Sequence, residues 1–131
     1  MRTILIASML IACGCKAVER AAIAPLPEDA APMPFADLVA RARLQAMAAN
    51  EAFYVDNWTG LDEAARGIEQ SARFLKKSSS VPAARQADLE SRCDTLARDA
   101  GQLRVAATRK DIDQTNAILQ RIHFQIRELR S

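Results

Sequence analysis

"LDEAARGIEQSARFL", residues 61–75, decides the fold class. Leu61, Ala65, Ile68, Ala72 and Leu75 stand four, three, four and three positions apart. That rhythm puts every apolar residue on one stripe of a 3.6-residue helix and leaves Asp62, Glu63, Arg66 and Glu69 on the other side. Lys76 and Lys77 follow, where cations suit the negative end of a helix. Upstream, Thr59 and Asp62 have capping-box spacing, which predicts the start of this helix after the turn "DNWTG".

Working outward, the same rhythm returns three more times. Residues 35–55 place Phe35, Val39, Ala42, Ala46, Ala49 and Phe53 on a stripe, widened by Leu38, Met47 and Tyr54. After "SSSVP", with Pro82 suited to a first helical position, Leu89, Cys93, Leu96, Ala100, Leu103 and Ala107 repeat it. "TRKD" (Thr108–Asp111) has the spacing of a second capping box, and Ile112, Thr115, Leu119, Ile122, Ile126 and Leu129 make the fourth face. Aromatic residues are only 5% of the chain and no alternating β-branched run occurs, so strands have no support. The expected fold is all-α. Four amphipathic helices on short loops predict an up-down-up-down antiparallel four-helix bundle over residues 35–131. If "DNWTG" only kinks the chain, residues 35–76 form one long helix instead.

The first 34 residues read differently. "MRTILIASMLIAC" carries Arg2, then an apolar run from Ile4 to Ile11. Eight residues are too few to span a bilayer, which takes about 20, but they fit the hydrophobic region of a secretory signal. Residues 10–13, "LIAC", resemble a bacterial lipobox. The resemblance implies a signal peptide at 1–12, cleavage before Cys13, and fatty-acyl chains, palmitate among them, on the new N-terminus. Cys15 is the second candidate for acylation. Gly14 after Cys13, by analogy with bacterial sorting, points to the outer membrane facing the periplasm.

Residues 13–34 form the acylated Cys and a Pro/Ala-rich tether, with Pro25, Pro27, Pro32 and Pro34 breaking any continuous helix. A short helix around Ala17–Ile23 is compatible with its sequence. Extended at about 3 Å per residue, the tether would lift the bundle roughly 30–60 Å from the lipid. Cys93 lies at an apolar helix position and reads as a small core residue. Cys15 and Cys93 are nearly eighty residues apart, one of them on the tether, and no disulfide is expected between them.

A formal net charge of +2 gives no basic face for nucleic acid. With His123 the only histidine, neither a zinc cluster nor a di-iron bundle is available, and no glycine-rich phosphate loop or partnered nucleophile occurs. The expected protein is not an enzyme and has no catalytic or metal residues. It is tethered to a membrane, with a binding or structural role in the cell envelope and an unidentified protein as its other partner.

"LQRIHFQIR", residues 119–127, resembles the last helix of the cytochrome c-prime family and its b-type four-helix relatives. There the motif runs Cys-x-x-Cys-His-x-x-aromatic-Arg, with the His as axial haem ligand. His123 and Arg127 match; Leu119 and Ile122 stand where the cysteines would be, and Ile126 replaces the aromatic residue. "RLQAM" is similar to that family's distal Arg and Met, at Arg43 and Met47. The resemblance implies, as the alternative function, a non-covalent haem with Met47 and His123 as axial ligands, in electron transfer or gas binding. Without a haem, His123 sits beside the apolar seam and Met47 fills space. Trp58 is expected to cover one end of the bundle. Phe124 lies opposite the fourth seam, either as an outward surface for a partner or second copy, or buried by a rotated helix.

Overall fold

The computed structural model describes residues 23–131, and the signal peptide, Cys13, Cys15 and most of the short helix expected around Ala17–Ile23 lie outside that range. Among the described residues all regular structure is helical: α1 (Phe35–Tyr54), α2 (Trp58–Leu75), α3 (Ala83–Gln86), α4 (Leu89–Arg109) and α5 (Ile112–Arg130). Helix α1 packs on α2 and α5, α2 on α4, and α4 on α5.

The chain breaks fully between α1 and α2, so residues 35–76 are not one helix. Asp56 takes a left-handed conformation (φ 55°) that reverses the chain. Asn57 then caps α2, its side-chain oxygen accepting from the Gly60 N–H at 2.9 Å. The expected cap at Thr59 is therefore two residues late. Gly60 has a local reason to be glycine, because a β-carbon there would collide with the capping Asn57 side chain. Asp62 instead pairs with Arg66 (3.0 Å) and Arg104 of α4 (3.1 Å).

The second expected box also resolves differently. Thr108 remains inside α4, its hydroxyl donating to the Arg104 carbonyl at 3.0 Å. Lys110 turns left-handed (φ 52°), and Asp111 caps α5 by accepting from the Gln114 N–H at 3.0 Å. The third expected helix is interrupted. Pro82 is the residue before α3 rather than its first, α3 is a single turn, and α4 begins only at Leu89.

The core is asymmetric. Helix α1 contributes mainly alanines (Ala42, Ala46, Ala49), against Leu61, Ile68 and Leu75 of α2, Leu96 and Leu103 of α4, and Leu119 and Ile122 of α5. Small residues on one wall let the large side chains opposite reach across. Three residues expected on the seams are exposed instead. Met47 is one residue, or about 100° of helix, past the buried Ala46. Tyr54 and Ile112 are terminal residues of α1 and α5, where no neighbouring helix covers them.

Residues 26–34 do not hang free as a spacer. The Gln70 side chain of α2 grips Leu26 twice, accepting from its N–H (2.9 Å) and donating to its carbonyl (2.8 Å). Leu26, Ala30 and Met33 pack against the core. A backbone clasp closes the run: Ser79 N–H donates to the Met33 carbonyl (3.0 Å), and Phe35 N–H to the Ser79 carbonyl (2.9 Å). The prolines prevent a helix, as expected, but the apolar residues between them have a surface to bury on.

Candidate functional site

Helix α5 carries His123 beside Ile122, which is fully buried, so the imidazole stands at the edge of the seam. It is half-buried, and that burial pushes its pKa below the ordinary value. Met47, 52% exposed, borders the same groove as His123. The other residues of the haem resemblance are not gathered there. Arg43 faces solvent, and Arg127 lies over the Phe124 ring at 5.2 Å from its centroid, a cation–π arrangement on the outside of α5. Phe124 itself is 54% exposed, so of its two expected placements the outward one is found. Leu119 and Ile122 fill the interior.

Trp58 opens α2 at the end of the bundle, edge-on to Phe53 with ring centroids 5.9 Å apart, and packs against the core. Cys93 is fully buried, and desolvation pushes its thiol up to about 11. Native protein at pH 8 is therefore expected to resist iodoacetamide at Cys93, with labelling at least about a hundredfold slower than in the urea-unfolded chain. Mass spectrometry of timed aliquots measures it, and rapid native labelling would contradict the burial.

Sequence reasoning missed the polar residues inside the helix pairs. Across α1 and α2, Ser71 donates to Gln45 at 2.7 Å. Across α4 and α5, Asp99 accepts from Arg121 at 3.1 Å and from Gln125. Arg41 is buried on α1, and its Nε and one Nη have no hydrogen-bond partner among the described residues. The only available signal was position: Arg41 and Gln45 are one turn apart, immediately beside Ala42 and Ala46 on the apolar stripe.

Among the described residues, no group of three or more His, Cys, Asp or Glu side chains is placed to hold a metal, and no helix is long and apolar enough to cross a membrane. Compared with protein-family models, with curated proteins and with solved structures, the chain finds no match.

Proposed function

We propose that the protein is a lipid-anchored, up-down-up-down four-helix bundle with a non-catalytic binding or structural role in the cell envelope, at the outer membrane facing the periplasm. The observation that carries this reading is the sequence "LIAC" directly after an apolar run, ahead of a domain that packs its own core. Two acyl chains at about 0.8 kcal/mol per buried methylene hold a protein durably where one does not. The ion pairs favour the antiparallel order: Asp62 and Glu69 meet Arg104, while Lys76 further along α2 meets Asp94 earlier on α4. The buried polar groups Asp99 and Ser71 are spent on other side chains, and the Cys93 thiol is held protonated, so these three groups offer binding chemistry little to work with. The outer surface is where a partner would attach.

The test is metabolic labelling with palmitate. Wild type is expected to carry label in the membrane fraction, and Cys13→Ala to lose both label and membrane association. Label that persists in Cys13→Ala and disappears in Cys15→Ala moves the anchor by two residues. An unlabelled wild type with an intact N-terminus overturns the reading.

The haem alternative has one observation in its favour, that Met47 and His123 border the same groove. The fit is poor: Arg43 and Met47 face outward, and Leu119 and Ile122 occupy the interior beside His123. These residues do not enclose a macrocycle. Protein expressed with haem supplied is expected to be colourless. A Soret band that His123→Ala abolishes would reinstate the electron-transfer function.

A further inference from the structure

Two surface features have no counterpart within one chain among the described residues, and they match each other. The first is the part of the α1–α2 groove that residues 26–34 leave uncovered, from Gln45 and Gly67 towards Val55 and Asn57. The second is Phe124, 54% exposed on α5 with the Arg127 guanidinium over its ring. We propose that the protein forms a two-fold dimer in which Phe124 and Arg127 of each copy enter the α1–α2 groove of the other.

Shape supports the match. The groove floor is made of small residues, Ala48 on α1 and Ala64 and Gly67 on α2, against which an aromatic ring can lie at van der Waals distance. Met47, Tyr54 and Val55, each more than half exposed, supply apolar walls. Gln45 adds a second, independent mark of a binding surface. It is 1% exposed, its oxygen takes the Ser71 hydroxyl, and its Nε2 has no partner among the described residues although Gln45 lines the groove beside Gly67. A ring seated on Gly67 offers its electron-rich face to that amide.

Charge selects the occupant. Arg66, Arg73, Arg104, Glu28 and Glu69 of the groove are all held in ion pairs within the chain. Glu51 and Glu63 on the rim are exposed, with no ion pair among the described residues, so the unspent charge of the groove is negative. Arg127 is likewise exposed and makes no ion pair among the described residues. A bare aromatic ring carrying an unpaired arginine thus faces an apolar groove edged by unpaired carboxylates.

Placement explains why a second copy is needed. His123 borders the groove, and Phe124, the next residue, is turned about 100° away around α5. Phe124 therefore points away from the groove of its own chain, yet ring and groove are neighbours around the bundle. A two-fold axis between them lets each copy give one ring and receive one, which closes the contact at two chains. The inference uses the described bundle alone and holds with or without acylation at Cys13.

Analytical ultracentrifugation of the full chain carrying Cys13→Ala and Cys15→Ala, in which no acyl chain can drive association, tests it. A passage from monomer to dimer is expected between about 1 μM and 1 mM, the range of a modest, transient contact. Phe124→Asp, at an exposed position, should weaken the dimer at least about thirtyfold, as loss of a central aromatic anchor does. Ala64→Arg, which fills the groove, should do the same. Glu51→Arg combined with Glu63→Arg changes only exposed rim residues and repeats the groove test if Ala64→Arg unfolds. A mixture of Phe124→Asp with either groove variant keeps one intact ring and one intact groove. It is expected to form a 1:1 heterodimer, weaker than wild type but tighter than either variant with itself. A wild type that stays monomeric, a dimer that survives Phe124→Asp, a mixture that gains nothing, or species that grow past two chains would each overturn the proposal.

Discussion

Leu103→Ala is expected to lower the unfolding free energy by about 3–4 kcal/mol, within the range for truncating a buried leucine. Leu103 is fully buried on α4, which packs against both α2 and α5. Part of the loss is transfer of the removed methyl groups, and part is the hole they leave. How large the hole stays depends on whether neighbours can lean in. Ala42, Ala46 and Ala49 of α1 are too short to swing across, which leaves the filling to neighbours on α2 and α5. For a domain of this size the loss corresponds to a fall in melting temperature of roughly 15 °C or more. Leu103→Met, which keeps the volume, should cost less than about 1.5 kcal/mol. Thermal and urea unfolding of both variants measure the difference. Equal, small shifts would mean that Leu103 is not in the core.

Arg41→Met is expected to act in the opposite direction, raising stability by about 1–3 kcal/mol. The Arg41 guanidinium is buried with two nitrogens unpartnered among the described residues, and burial pushes its pKa below the ordinary value. The charged form is thus disfavoured where it sits. Methionine keeps most of the length and apolar contact of the arginine stem while removing the charge and its unsatisfied donors. The urea midpoint should rise with an unchanged slope, because the surface exposed on unfolding is nearly the same. A fall of similar size would show that Arg41 is satisfied by a group beyond the described residues. A protein that gains stability here but loses binding to its partner would identify Arg41 as retained for recognition.

The helical stripes were legible because their period is set by geometry alone. Leu61 to Leu75 and Leu89 to Ala107 fall on buried faces at every named position. Caps were less legible, because several residues near each boundary have the right side chain. Asp56, Asn57, Thr59 and Asp62 all suit an N-terminus, and only the left-handed turn at Asp56 selects Asn57. Likewise the left-handed Lys110 makes Asp111 a cap and leaves Thr108 within α4. The edges of the stripes were ambiguous for a related reason. Period does not say how wide a helix face the neighbours cover, so Met47 and Tyr54 looked like core and are not. The candidate site was the least legible part. His123 and Met47 do reach one groove, but Arg43 and Arg127 diverge, and a pattern of four residues carries no information about which way each faces. Nothing in "PLPEDAAPMP" announced that Gln70, 44 residues beyond Leu26, would hold it to the bundle.

That hold has a mechanical consequence. Tension entering from the N-terminal side would reach Leu26 before α1, and there it would meet the two Gln70 hydrogen bonds. Further along it must peel away Ala30 and Met33 and then break the Ser79 stitch at the foot of α1. The load is taken up in sequence, by weak links that can re-form, and α1 stays seated until the last of them yields. Residues 26–34 would thus act, under load, as a shock absorber in series with the bundle.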